Sequence, residues 1–550
     1  MPGGLLNIVA VGNQNIILNG NPSKTFFKSV HHKYTNFGLQ KFRIDFDGQK
    51  NLRLNEESKF TFKIPRYAEL LLDSYVVITL PSIWSPIYPP QTTSSTWHPY
   101  EFKWIKNLGT QMIKEIEISV GGGIIQKYSG QYLFNMIERD FNEAKKKQYY
   151  QMTGNINELN DPANAGARVN QYPNAFFNNT TSGAEPSIRG RKLYIPLNCW
   201  FTLSSKMAFP LVSLQYNELK IEVTFRPIKE LFIIRDVTDS RLPYVQPNFN
   251  LPEHNFYRFT QQPPDIDLTT ESYTDKSTNW NADIHMISTY AFLSNDEAKV
   301  FAAQEQKYLI KEVQTYNFKN LSGPKKIKLD SLGMISSWMW FLNRNDNFLR
   351  NEWSNYTNWP YDYVPYEIEE ANVQGLYTKL NLTNFPNGIG PGLNPIDETQ
   401  TGLYVTGDFQ ISNQKDILSK FALLLDGKYR ENELDSGVYN YIEKYSKSNG
   451  NSPNGLYCYN FCLNTTPYDF QPSGAMNLSK FKNIELELTT YVPPFDISAQ
   501  TFPICSDGEI IGSNKESWII YDYTFDLTLF EEKYNVLHFT SGNASLVYSR

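Results

Sequence analysis

The chain has 550 residues, longer than one ordinary domain and suited to two β-sandwiches of roughly 200 residues each with long loops. Hydrophobic residues make up 41%, enough for two cores, and the 15% aromatic share favours half-buried strands. With 51 basic against 57 acidic residues the net charge is −6, so the chain lacks the cation excess a nucleic-acid wrapper needs.

Residues 1–23 contain no Lys or Arg, and asparagines interrupt the apolar positions, so no secretory signal is expected there. The most apolar run, 68–80, includes Glu69 and Asp73 and reads as a buried strand. No uncharged apolar stretch reaches the roughly 18 residues that span a bilayer. Residues 115–120 alternate Ile116, Ile118 and Val120 with Glu115, Glu117 and Ser119, the period of a half-buried strand. Gly121-Gly122-Gly123 reads as a hairpin turn and not a phosphate loop, because strands flank it and no Gly-Lys-Ser/Thr comes after it. A helix is expected over 130–150, with Tyr132, Leu133, Met136, Ile137, Phe141 and Ala144 at helical spacing and Ser129 as cap. Lys145, Lys146 and Lys147 read as a solvated helix end in preference to an anion patch. Alternation returns at 220–225, at 484–490 and at 521–530, where Tyr521, Tyr523, Phe525, Leu527 and Leu529 share a face.

The order of elements repeats. Strand 115–120, a glycine turn, short strand 124–128 and Ser129-Gly130-Gln131-Tyr132 opening a helix match strand 421–425, Asp426-Gly427, a short strand and Ser436-Gly437-Val438-Tyr439 opening 439–445. The apolar, Cys-containing stretch 193–203 with 220–225 after it matches 456–463 with 484–490 after it. A duplicated sandwich is the economical account. Gly130 to Tyr194 spans 64 residues and Gly437 to Tyr457 spans 20, so the first copy carries 44 extra residues centred on 155–190. That stretch, with 81–110 and 343–402, reads as exposed loop.

Chemistry-bearing motifs are sparse. His31-His32 are adjacent, so on a strand they point to opposite faces and chelate poorly. Four cysteines, Cys199, Cys458, Cys462 and Cys505, make no disulfide framework and suit a reducing compartment. Cys458 and Cys462, four apart on a strand, lie about 13 Å from each other, too far to bridge, and read as buried small hydrophobes. Asp45-Phe46-Asp47-Gly48 lacks the rest of a calcium-loop ligand series and reads as a turn. No Gly-x-Ser-x-Gly elbow occurs, and no pair of carboxylates stands out as a glycosidase would require. Sequons at Asn178, Asn179, Asn320, Asn355, Asn381, Asn464, Asn477 and Asn543 read as chance in an Asn-rich chain. No residue is nominated as catalytic, cofactor-binding or metal-binding, and no cofactor is expected.

Four separated stretches carry a resemblance. They are Gly12-Asn13-Gln14-Asn15 through Pro22-Ser23-Lys24-Thr25-Phe26-Phe27 to Tyr34-Thr35-Asn36-Phe37; Pro196-Leu197, Trp200-Phe201, Ala208-Phe209-Pro210-Leu211 and Leu214-Gln215-Tyr216-Asn217-Glu218-Leu219; Gln471-Pro472-Ser473-Gly474 with Asn477-Leu478-Ser479; and Tyr534-Asn535-Val536-Leu537 with Ser541-Gly542. In this order they resemble the major capsid proteins of nucleocytoplasmic large DNA viruses; 235–307 and 343–402 show no such likeness. The resemblance implies an all-β double jelly roll, two consecutive eight-stranded antiparallel rolls with long surface loops and few short helices. It implies no enzyme but a shell protein of the virion, assembled in the host cytoplasm. Homotrimers would form pseudo-hexameric capsomers that tile an icosahedral shell, beside minor capsid and penton proteins and, through minor proteins, an internal membrane. No direct nucleic-acid contact is expected. The expected organisation is an arm, 1–24; a first roll, 25–230, with exposed loop 155–190; a connector, 231–307; a second roll, 308–532, with exposed loop 343–402; and a tail, 533–550. A minor capsid or scaffold jelly-roll protein of the same virus type is the second reading, and a carbohydrate-binding β-sandwich the third.

Overall fold

The computed structural model describes residues 13–48, 51–86, 100–169, 171–175, 185–237, 244–262, 273, 275–277, 280, 282–359, 415–469, 471–493, 503–506, 509–513 and 523–548. The alternating stretches do become strands, and these divide into two sets. In the first half β1 (Phe37–Ile44), β2 (Ser58–Lys63), β3 (Leu70–Thr79), β4 (Ile113–Val120), β5 (Gly123–Tyr128), β6 (Lys192–Pro196), β7 (Leu219–Phe225) and β8 (His285–Leu293) build two antiparallel sheets, ordered β1–β8–β3–β6 and β2–β7–β4–β5. In the second half the strands are β9 (Gln306–Leu321), β10 (Pro324–Lys328), β11 (Met334–Arg344), β12 (Leu418–Leu425), β13 (Lys428–Asp435), β14 (Tyr457–Asn460), β15 (Ile484–Thr490) and β16 (Phe525–Thr540). Their sheets are ordered β9–β16–β11–β14 and β10–β15–β12–β13. Adding eight to each label converts the first pair of sheets into the second. This is the jelly-roll order, twice.

Turn chemistry repeats with it. Val120 faces Gly123 across Gly121-Gly122, and Leu425 faces Lys428 across Asp426-Gly427. All four turn residues have positive φ (57° and 87°, 49° and 77°), as a two-residue hairpin loop matched to strand twist requires. Asp426 tolerates this because its carboxylate accepts hydrogen bonds from the Lys482 and Asn483 N–H groups.

Each roll encloses its own core. Phe60, Phe62, Ile116, Ile118, Ile221 and Val223 from one sheet of the first roll meet Leu71, Ile78, Ile195, Met286 and Tyr290 from the other. Trp338, Trp340, Phe421, Leu423, Leu486 and Leu527 fill the second. Burying each such side chain contributes about 1.5–3 kcal/mol. Strand β11 reads Met-Ile-Ser-Ser-Trp-Met-Trp-Phe-Leu-Asn-Arg with little alternation because both its faces are covered. Trp338, Trp340 and Leu342 enter the second core, whereas Met339 and Phe341 join the cluster of the first.

Several expectations need correction. The expected helix 130–150 is two helices, α1 (Gly130–Asp140) and α2 (Glu143–Thr153). Ser129 caps the first, accepting from Tyr132 N at 3.1 Å. Phe141 is extended, and the Asn142 side chain accepts from Lys145 N at 3.0 Å, starting a new helix where the periodicity suggested continuity. The lysine run therefore lies at the beginning of α2 and not at a helix end. The segment 231–307 is no mere connector: it supplies β8, seated between β1 and β3, and Phe232–Asp236, paired with Tyr100–Trp104. Most of β8 is buried, so it lacks the alternation that would mark it. The tail 533–550 is largely strand, because β16 runs through Glu531, Glu532 and Lys533 to Thr540 and turns back into Asn543–Leu546.

The two loop assignments also change. Of 155–190, the residues Ile156, Leu159, Ala163, Ala165 and Ile188 are buried, while 170 and 176–184 lie outside the described residues. Of 343–402, the portion up to 359 is largely buried, with Asn351, Asn355, Thr357 and Asn358 enclosed; 360–402 lies outside the described residues. Composition flagged these stretches as loops, but asparagine side chains there satisfy backbone groups of the surrounding chain, Asn351 those of the neighbouring roll, and are buried for that reason.

Candidate assembly surfaces

Helix α1 comes directly after β5 and lies against the second roll, so its position depends on the β4–β5 hairpin. Tyr132 donates through its hydroxyl to Glu532 Oε1 at 2.9 Å, and its ring meets Phe530 at 5.5 Å. Arg139, fully buried at the end of α1, bridges Asp140 at 2.7 Å and Glu532 at 2.8 Å. Ser337 Oγ donates to Glu532 at 2.8 Å, Thr465 Oγ1 donates to Asp140 at 2.5 Å, and Lys311 Nζ stands 3.8 Å from Glu532. Burial opposes ionisation of Glu532, but Arg139, Lys311 and the donors Ser337 and Tyr132 outweigh it and hold its carboxyl down at about 2. Asp140 goes the other way: burial raises its pKa, aided by the Glu532 charge, and the shared Arg139 offsets this in part.

The loop after β11 completes the seam. Asn351 Nδ2 donates to the Lys229 and Phe232 carbonyls, each at 2.8 Å. Trp353 Nε1 donates to the Glu230 carbonyl at 3.1 Å under the Arg226 guanidinium, 4.5 Å above its ring. Tyr356 donates to Asn135 Oδ1 at 2.7 Å and stacks on Phe341 at 4.2 Å. Asp346 is clamped by Arg344 at 2.8 Å and Arg350 at 3.0 Å; burial opposes its ionisation, yet the two guanidiniums hold it below the usual carboxylate range. On the other side of α1, Gly450 approaches so closely that a Cβ there would lie 2.3 Å from the Glu138 carbonyl oxygen. The seam is tight, polar at its centre and apolar around it.

Other surfaces stay open. Ile16, Ile17 and Leu18 in the N-terminal arm are exposed, as are Phe26, Phe27, Val30 and Tyr34 between the arm and β1, and Phe37 and Leu39 on β1. In the second roll β13 is exposed along nearly its whole length. The helical turn Val438–Ile442 just beyond it, continuing as α3 (Glu443–Lys447), exposes Tyr441, Ile442 and Tyr445. Exposed apolar groups on this scale mark contact surfaces.

The motifs weighed in the sequence fall elsewhere. His31 and His32 are exposed in the stretch before β1. Asp45 accepts from Arg43 at 2.9 Å and Asp47 pairs with Lys63 at 2.5 Å, as neighbours of a turn would. Cys199, Cys458 and Cys462 are buried thiols without a disulfide; Cys462 lies beyond β14, so the shared-strand geometry assumed for it does not apply, and the side chain of Cys505 lies outside the described residues. Lys146 is buried, 3.3 Å from Glu138 and donating to the Asn451 carbonyl at 3.0 Å, so it ties the rolls together and is not a solvated charge. Asn355 is buried and hydrogen-bonded to Asn343, Thr357 and Trp359 of its own roll; sequons Asn178, Asn179 and Asn381 lie outside the described residues. Among the described residues no group of three or more His, Cys, Asp or Glu could hold a metal, and no helix is long and apolar enough to cross a membrane. Sequence reasoning missed the Arg139–Asp140–Glu532 cluster. Its signal was there: Glu531 and Glu532 interrupt the apolar–polar alternation of β16, and ionised groups at positions due to be buried need partners.

Comparison with known proteins decides what this seam joins. Residues 25–258 match the family model for the N-terminus of the major capsid protein, and residues 297–545 match that for the large eukaryotic DNA virus major capsid protein. The chain belongs to the large eukaryotic DNA virus major capsid proteins. The major capsid protein of Phaeocystis pouchetii virus is 24% identical over the whole of both chains, and that of Paramecium bursaria Chlorella virus 1 is also 24% identical over the whole of both. Among solved structures, a chain of the PBCV-1 virus capsid superposes with a TM-score of 0.59 at 20% identity, covering 96% of this chain and 100% of that one. The Faustovirus major capsid protein superposes with a TM-score of 0.57 at 12% identity, covering 96% and 94%. These likenesses establish the double jelly-roll fold. As a major capsid protein the chain is a structural component of the virion shell and not an enzyme. The seam just described is the joint between its two jelly rolls.

Proposed function

We propose that three copies of the chain form a trimer of pseudo-sixfold outline, and that such trimers are the capsomers tiling an icosahedral shell. The observation that carries this is the repetition of sheet order, β1–β8–β3–β6 with β2–β7–β4–β5 against β9–β16–β11–β14 with β10–β15–β12–β13. Three chains then present six equivalent rolls, and a closed ring of rigid sandwiches suits a shell because few strand edges are left for uncontrolled pairing. The neighbours would be other capsomers, minor capsid and penton proteins and, through minor proteins, an internal membrane. The apolar arm, 1–24, is placed on the inner side. Direct nucleic-acid binding is not part of the reading, in keeping with the net charge of −6. Assembly is placed in the host cytoplasm.

Native mass measurement of the purified chain tests the core of this reading. The expected species has three times the 63.6 kDa of one chain. Monomer alone across native conditions would sink it.

A further inference from the structure

The seam within one chain has an unfilled counterpart. Helix α1 of the first roll is covered by the second roll and strand β5 is covered in part, with Gln126 Nε2 donating to the Lys311 carbonyl on β9 at 3.0 Å. Strand β13 and the helical segment after it occupy the same place in the second roll, and among the described residues they are far more exposed. The correspondence is fixed by register. Gln126 lies opposite Ile118 and Glu431 opposite Leu423; Ile118 in turn faces Ile221, as Leu423 faces Leu486. Ser129-Gly130-Gln131-Tyr132 and Ser436-Gly437-Val438-Tyr439 then open the two helices.

Carried along these helices, the match pairs residues of opposite environment. Phe134 is 6% exposed and its equivalent Tyr441 56%; Asn135 is 0% and Ile442 60%; Glu138 is 5% and Tyr445 93%. Large apolar side chains thus stand in water at the positions where the first roll is occluded. Roll-to-roll contact explains the difference, because Asn135 is met by Tyr356 and the Glu138 carbonyl by Gly450, both from the second roll.

The receiving surface has a counterpart too. Lys311 on β9 lies opposite Tyr534 on β16, which lies opposite Met334, the first residue of β11. Leu39 on β1 lies opposite Ala291 on β8, which lies opposite Leu70, the first residue of β3. Leu39 is therefore the first roll's equivalent of Lys311. In β1 the alternate positions Phe37, Leu39, Lys41 and Arg43 are exposed, two apolar and two basic, with Arg43 already paired to Asp45 and Asp283. The facing candidate, β13, carries Glu431, Glu433 and Asp435 beyond Lys428 and Arg430, so its acidic residues gather at the end next to the helical segment.

We infer that β13 and the segment Val438–Lys447 of one copy dock on the outer face of β1 in a second copy, repeating between chains the seam that joins the rolls within one. This rests on the trimer reading and deepens it by naming the two faces. The contact is heterologous, with different faces meeting, so closure depends on the rotation it imposes. Each chain already contains one such step, and three chains supply three more, which closes a ring of six rolls. The two strands do not extend each other's sheets. In the chain β5 reaches β9 through a side chain, and the charged β13 edge is likewise ill-suited to strand addition.

The test uses the full chain. The paired substitutions Ile442→Glu and Tyr445→Glu, and separately Leu39→Glu, should each convert trimer to monomer in native mass spectra, with circular dichroism and melting temperature of the monomer preserved. Directionality is read by mixing a Leu39→Cys chain with an Ile442→Cys chain, both carrying Cys505→Ser, and adding a short bis-maleimide. Cross-links should join the two different variants and be absent when either is assembled alone. Trimers that survive both sets of charge substitutions, or cross-links within one variant, overturn these faces and leave the trimer standing. A wild-type chain that never leaves the monomer overturns the trimer reading and these faces together.

Discussion

The two jelly rolls share a strand order but differ in the segment just beyond the hairpin β4–β5 or β12–β13. The first roll continues into α1, α2 and a long insertion, and its helix is sealed against a neighbour. The second continues into one short helical segment whose apolar side chains face water. Their buried carboxylates differ as well. Burial raises Glu138 and Asp140 of the first roll, whereas Glu532 and Asp346 of the second are drawn down by arginines. A duplicated fold thus has one copy specialised to seal the joint within the chain. The other leaves the equivalent face exposed among the described residues and contributes Glu532, the carboxylate that Arg139 grips across the joint.

Breaking that joint should have the largest effect. Arg139→Ala leaves Glu532 buried without its main partner and should cost about 3–5 kcal/mol in urea unfolding. Arg139→Met combined with Glu532→Leu should recover most of that loss, and a double variant as unstable as the single one would contradict the account. Trp340→Ala removes a ring stacked on Phe421 at 4.6 Å in the second core and should also cost about 3–5 kcal/mol. Unlike the seam variant, it should not be rescued by changes at Glu532.

Acid should act chiefly through the second roll. Glu532 and Asp346 have folded values below their unfolded ones, so their stabilisation is complete only above about pH 5 and is lost as pH falls through their folded values. For Glu532 this is on the order of 3 kcal/mol. Asp140 and Glu138 have raised values, so protonating them on the way down relieves a penalty and does not add to the loss. Melting temperatures of wild type and Glu532→Gln between pH 5 and 2.5 check the sign: the variant should be less stable at pH 5 and change less. Within the first roll's insertion, Leu159→Ala should cost at least about 2 kcal/mol by calorimetry, because the residue is core despite its loop-like surroundings. The smallest effect tests the symmetry itself. Gly122→Ala and Gly427→Ala each place a Cβ in open space at positive φ, so each should cost about 1 kcal/mol, with equal shifts in denaturation midpoint.

Much of the fold was legible in the order of residues alone. Alternation located β4, β7, β15 and the start of β16, because a half-buried sheet needs a period of two. The glycine and Asp-Gly turns located both hairpins, since a two-residue loop demands positive φ. The duplication came out of their order. Strand β8 and the far half of β16 escaped, because burial on both faces or a charge in mid-strand erases the period. Buried asparagines in 345–359 looked like loop for a related reason, as composition cannot tell a polar residue facing water from one satisfying a buried backbone group. By itself, then, the sequence determined that there are two matched all-β rolls and where the hairpins turn, all properties of local period and turn geometry. Tertiary structure alone decided that Arg139 meets Glu532 across 393 positions, and that one copy's helix is sealed while the other's is bare. Those depend on how the rolls pack together, and no local pattern encodes which face will meet a partner.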